Sequence, residues 1–85
     1  MASYRIEIKR SASRELEHLP LKDRRRIVSR IRGLASDPKP YGSQKLSGEE
    51  SYRLRQGDYR VVYKVDETER NITVFRIAHR RDVYR

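Results

Sequence analysis

Arg53, Arg55 and Arg60 are the residues whose types and spacing point most directly to chemistry. Gln56-Gly57-Asp58-Tyr59 reads as a two-residue hairpin turn with glycine first, the preference of a type II′ turn. With Gly57-Asp58 as the whole loop, Gln56 pairs with Tyr59, Arg55 with Arg60, Leu54 with Val61 and Arg53 with Val62. Side chains alternate along a strand, so Tyr52, Leu54, Tyr59, Val61 and Tyr63 share one face. Arg53, Arg55, Arg60 and Lys64 share the other. Like charges directly opposite each other destabilise a sheet by up to ~1 kcal/mol. A bound anion reverses that sign, and the guanidinium fork matches phosphate. The alternative is arginines that splay into water or pair with acids elsewhere. Arg76, on a later strand, joins this face only if the pairing allows it.

The tail His79-Arg80-Arg81-Asp82-Val83-Tyr84-Arg85 adds an imidazole, a phenol and further guanidiniums. Histidine exchanges protons near neutral pH. Tyr84 can stack on a base or move a proton, or else anchor the sheet edge, and Asp82 reads as a local partner for an arginine. Cleavage of RNA by its own 2′-hydroxyl needs cations to stabilise the transition state and groups that move protons. An arginine-rich face beside a histidine and a tyrosine supplies both. His18 and His79 with scattered acids give no metal-ligand spacing. No glycine-rich phosphate loop, nucleophile elbow or CxxC is present, so neither a metal nor a cofactor is expected.

The elements that must position these residues can be read from periodicity. Tyr4, Ile6 and Ile8 alternate with Arg5, Glu7 and Lys9, the period of a half-buried strand. Ser11 or Ser13 can cap a first helix, whose apolar stripe is Ala12, Leu16 and Leu19. Pro20 ends it and suits the start of the next. Ile27, Val28, Ile31, Leu34 and Ala35 stripe a second helix from about Leu21 to Ser36. Its other face carries Lys22, Arg24, Arg25, Arg26, Arg30 and Arg32, with Asp37-Pro38 as terminator. Residues 37–48 read as loop. Tyr52–Gln56, Tyr59–Val65 and Asn71–Ala78 read as strands, joined across 66–70 by a polar loop. The predicted fold is α+β: two N-terminal helices on one face of a small, mainly antiparallel four-stranded sheet, in the order β-α-α-β-β-β.

Composition sets the bounds. The chain has 85 residues, 21 of them Lys or Arg and 12 Asp or Glu, giving a net charge of +9, and it has no cysteine. Domains usually take ~100–200 residues, so residues 1–85 form one domain with a small core. No disulfide or cysteine-based zinc site can staple it, and the lack of cysteine agrees with the cytoplasm. No apolar run approaches the ~18 residues of a membrane span, and Met1–Arg10 does not read as a signal peptide. Sixteen of the bases are arginine, and six tyrosines stand against one phenylalanine and no tryptophan. Arginine with interleaved tyrosine suits nucleic acid, because phosphates need cations and unstacked bases need flat partners. A solvated surface or an acidic protein partner would use the same charge.

Taken together, several segments resemble the RelE/ParE superfamily of toxins, and more closely the RelE-type mRNA interferases. They are Leu19-Pro20, Asp37-Pro38, Lys45-Leu46-Ser47-Gly48, Tyr52-Arg53-Leu54-Arg55, Asp58-Tyr59-Arg60-Val61-Val62-Tyr63 and Ile77-Ala78-His79-Arg80-Arg81-Asp82-Val83-Tyr84. The resemblance spans nearly the whole chain. It implies metal-free cleavage of mRNA in the ribosomal A site by 2′-hydroxyl attack, and neutralisation by an antitoxin that wraps the toxin. By the same resemblance, Arg53 and Arg55 fall at catalytic basic positions and Arg60 at the arginine that stabilises the phosphate. Arg80 or Arg81 falls at the arginine that assists the leaving group, and Tyr84 at the tyrosine that orients or stacks on the mRNA. Two departures stand out. Well-studied members carry lysines where Arg53 and Arg55 stand, and arginine does not deprotonate, which moves the general-base role toward His79 or Tyr84, or leaves catalysis weaker. The turn at Gly57-Asp58 is also shorter.

In this picture Arg24, Arg25, Arg26, Arg30, Lys64 and Arg76 contact RNA, and the partners are the ribosome, mRNA and an acidic antitoxin. Two other functions compete: a ParE-like toxin that binds DNA gyrase and cuts nothing, and a basic RNA-binding module without catalysis. The fold is shared between both toxin activities and cannot choose between them.

Overall fold

The chain opens with strand β1 (Arg5–Ile8), followed by helices α1 (Arg10–Glu17) and α2 (Leu21–Gly33). Strands β2 (Ser43–Lys45), β3 (Ser51–Gln56), β4 (Tyr59–Asp66) and β5 (Asn71–His79) complete it. The structure, a computed structural model, describes residues 3–46, 50–79 and 81. The sheet order is β1-β5-β4-β3-β2. β1 runs parallel to β5, and the other neighbours are antiparallel. Among the described residues, no helix is long and apolar enough to cross a membrane.

The helices form where their apolar stripes predict. Ala12 of α1 and Ile27, Ile31 and Leu34 of the α2 segment are buried in one core with Leu54, Val61, Tyr63, Ile72, Val74 and Ile77 of the sheet. Burying one such aliphatic side chain contributes roughly 1.5–3 kcal/mol. α1 begins at Arg10, earlier than a serine cap would place it. Lys9 is the N-cap and makes no side-chain capping bond; its carbonyl accepts from the Ser13 N–H at 2.8 Å. Pro20 separates the helices as the N-cap of α2, with extended backbone, and its carbonyl accepts from Arg24 at 2.9 Å. α2 stops at Gly33, short of the expected Ser36. Tighter turns carry the chain on, with Leu34 N–H donating to Ile31 O and Ala35 N–H to Arg32 O.

The sheet has five strands rather than the predicted four. β2 lies in the stretch expected to be loop and pairs Ser43 with Leu54, Gln44 with Arg53 and Lys45 with Tyr52. Ser-Gln-Lys has no apolar alternation to reveal it, and its pairing comes from the open edge of β3. The β3–β4 register is the expected one: Gln56 opposite Tyr59, Arg55 opposite Arg60, Leu54 opposite Val61 and Arg53 opposite Val62. Gly57 at φ +59 supplies the conformation that a type II′ turn needs at its first central position. Tyr52 and Tyr63 stack on the helix side, ring centroids 5.7 Å apart, and the Tyr63 hydroxyl donates to the Pro38 carbonyl at 2.8 Å. A bulge separates Val62/Tyr63 from their β5 partners Arg76 and Val74. Val74 and Ile77 both face the core, so Phe75 and Arg76 together fall on the outer side.

Candidate functional site

The helices cover one face of the sheet, and the other face carries the basic residues. Arg55 and Arg60 stand directly opposite each other, with Arg53 two residues along β3 on the same side. These three line a cavity of ≈ 540 Å³ whose remaining wall is Tyr41, Gly42, Ser43 and Gln44. The β2 pairing builds that wall: Gln44 lies across from Arg53, and its Oε1 accepts from Arg53 Nη2 at 2.7 Å. Arg53 is thereby oriented rather than left to sweep through solvent.

Arg60 is the most unusual member. It is only 5% exposed. Its Nη1 donates to the Tyr59 carbonyl at 3.1 Å, and among the described residues no carboxylate pairs with it or with Arg55. A buried cation without an acid is costly, and the facing Arg55 adds repulsion. An oxyanion in the cavity would offset both, because phosphate accepts forked, charge-assisted bonds from guanidiniums. The arrangement can hold a phosphate and stabilise extra negative charge developing on it.

His79 lies elsewhere, which corrects the expectation of a histidine beside the arginines. Arg60 pairs with Ala78, so the neighbouring pair, Tyr59 and His79, points to the opposite face. Their rings meet edge to face at 5.6 Å, and His79 Nδ1 accepts from the Arg81 N–H at 3.3 Å. His79 lines a separate cleft of ≈ 600 Å³ with Arg14, Glu15, His18 and Leu19 of the α1 segment. There Glu15 Oε1 accepts from the backbone N–H of Ile77 at 2.8 Å, taking the place of a strand neighbour beyond the end of β1.

The predicted RNA contacts divide between the two faces. Arg25 and Arg26 are exposed and Arg24 half-buried on α2, in the helix layer, with the sheet between them and the arginine cavity. Arg30 departs from that solvated face. It turns toward the loop after α2, its Nη2 donating to the Tyr41 carbonyl at 3.5 Å, and its Nε is buried without an acceptor among the described residues. Lys64 and Arg76 lie on the outer face, Lys64 with its ammonium 5.9 Å from the centre of the Phe75 ring. Arg81 is exposed. Arg80, Asp82 and Tyr84 lie outside the described residues.

Periodicity overlooked Tyr41 and Gln44, since both fall in a segment read as loop. The only signal was Pro40-Tyr41-Gly42, an aromatic between two turn formers with no stripe to join.

An arginine-lined cavity on the open face of a two-helix α+β sheet describes a class, and comparison with known proteins supplies its name. The chain belongs to the ParE toxin family of type II toxin-antitoxin systems (parDE), which matches residues 6–84. The relatives it resembles within that class are RelE-type toxins. Toxin RelE of Mycobacterium tuberculosis (strain ATCC 25618 / H37Rv) is 33% identical over 84 residues, covering 96% of this chain and 87% of the relative. Toxin RelG of the same organism is 29% identical over 86 residues, covering 96% and 97%. The toxin fold in the archaeal RelE-RelB complex from Pyrococcus horikoshii OT3 matches with a TM-score of 0.84 and 31% identity, covering 92% of this chain and 96% of that one.

Proposed function

We propose that this toxin is a ribosome-dependent endoribonuclease that cuts mRNA in the A site. The observation that carries the reading is Arg60, buried with no acid partner among the described residues, facing Arg55 and bordering a cavity shared with Arg53. In the proposed reaction the substrate's 2′-oxygen attacks the adjacent phosphorus, and the bond from phosphorus to the 5′-oxygen breaks. The products are a 2′,3′-cyclic phosphate and a 5′-hydroxyl. The 2′-hydroxyl proton leaves to a base, and a proton returns to the departing 5′-oxygen. Arg53, Arg55 and Arg60 hold the non-bridging oxygens as charge builds on them; one such donor typically contributes ~3–4 kcal/mol. Arginine cannot serve as the base. By family resemblance, Tyr84 orients the mRNA and Arg80 or Arg81 assists the leaving group. With His79 on the opposite face, Tyr84 is the tail residue left for the proton-moving role.

The reading includes an acidic antitoxin that neutralises the +9 charge and a cytoplasmic site of action, where ribosomes are. Several structures with the same fold are RelE-RelB toxin-antitoxin complexes. Translating ribosomes mixed with this protein should yield cuts inside A-site codons, mapped by primer extension, and Arg55→Ala should suppress them. Folded protein that leaves the message intact would overturn the proposal. The name of the matched family favours a second reading, gyrase inhibition. A supercoiling assay reports on it directly.

A further inference from the structure

Tyr41 is 99% exposed, yet it belongs to the wall of the arginine cavity. An isolated exposed apolar residue is ordinary. What sets this one apart is that its carbonyl and the turn around it are held by the fold. The Tyr41 carbonyl accepts from Arg30 at 3.5 Å, the Ser43 N–H donates to the Pro40 carbonyl at 3.0 Å, and β2 begins two residues later against β3. Gly42 takes φ +94, the left-handed conformation that turns the chain from Tyr41 into that strand. A large flat ring is therefore carried, open to solvent, on a fixed support at the mouth of a cavity built for an oxyanion.

A nucleotide offers the complementary pair, an anionic phosphate and an unpaired flat base. We infer that Tyr41 is a stacking platform for an unpaired base of the RNA strand whose phosphate Arg53, Arg55 and Arg60 hold. This rests on the nucleic-acid reading of the cavity and adds a base subsite to it. Stacking on an aromatic ring tolerates any base, since every base has a π-face. The subsite therefore contributes affinity and position more than sequence choice.

The chain has no tryptophan, so Tyr41→Trp introduces a single indole reporter. Its emission should be quenched by a short oligouridylate and unmoved by an abasic ribose-phosphate strand of equal length and charge. Tyr41→Ala should weaken oligouridylate binding roughly 5- to 150-fold, the range expected for loss of one stacked base, and leave abasic binding unchanged. Tyr41→Phe should retain wild-type binding, because the ring and not the hydroxyl acts. Unmoved indole emission at saturation, equal weakening of both probes by Tyr41→Ala, or no oligouridylate binding at all would each overturn the inference. A-site cleavage assayed on the same preparations separates the two readings. Cleavage with a silent indole overturns the stacking platform alone. Stacking by a protein that cuts nothing supports the platform and overturns the nuclease.

Discussion

Replacing Arg60 by methionine tests whether the cavity is built for a ligand rather than for the fold. The substitution keeps most of the side-chain volume and removes the charge. Three terms then compete. Relief of the repulsion with Arg55 returns up to ~1 kcal/mol. Loss of the bond to the Tyr59 carbonyl costs ~1.5–3 kcal/mol, since the donor is charged. The burial penalty of a cation at 5% exposure with no carboxylate partner among the described residues also disappears, and that penalty is several kcal/mol in protein interiors. The balance favours the variant by about 1 kcal/mol, which in a domain of this length raises Tm by about 4–8 °C. Denaturation repeated with added phosphate supplies the second readout. Wild type should gain up to ~2.7 kcal/mol at phosphate a hundredfold above its Kd, and Arg60→Met should gain much less. A variant destabilised by more than ~2 kcal/mol, with its phosphate response intact, would refute this reasoning and make Arg60 a structural residue.

Two further tests address the frame around the cavity. Burial pushes the Tyr63 hydroxyl up from 10.0 to about 12, so folding favours its neutral form. The stability from that shift is complete below pH ~10 and is lost as pH rises toward 12, a fall of ~2–3 kcal/mol. Tyr63→Phe should lose ~0.5–1.5 kcal/mol at neutral pH with the bond to Pro38 and abolish that part of the alkaline decline, both measurable by urea unfolding. Glu15→Ala leaves the Ile77 N–H without its acceptor and should cost ~1–3 kcal/mol, whereas Glu15→Gln, which keeps an acceptor oxygen, should cost less. Faster hydrogen exchange at the Ile77 amide in the alanine variant is the local check, and unchanged exchange would show that water replaces the carboxylate without penalty.

What could be read from the sequence was decided by how local the determining contacts are. The β3–β4 register was legible because two residues, Gly57 and Asp58, set it by themselves, and the facing of Arg55 and Arg60 followed. The helix stripes were legible for the same reason, since their period lies within a few turns. β2 was not, because the side chains of Ser43–Lys45 carry no apolar alternation that would mark a strand. The side on which His79 falls depends on its register against β4 and on a bulge where Phe75 is the extra residue, and no local residue announces either. Arg30 looked like one more member of a solvated basic face. Its true partner, the Tyr41 carbonyl, is supplied by a loop whose path depends on the whole fold.

The parallel pairing of Arg5–Ile8 with Asn71–Val74 has a consequence for biosynthesis. A strand formed at the start of translation finds its neighbour only after most of the chain has left the exit tunnel. Such long-range closure folds slowly, because the intervening segments must be ordered before it is rewarded. A prematurely terminated product that ends before Asn71 would lack the partner for β1 and the strand that flanks β4, so half-made copies should be cleared by proteases before they acquire an intact arginine cavity.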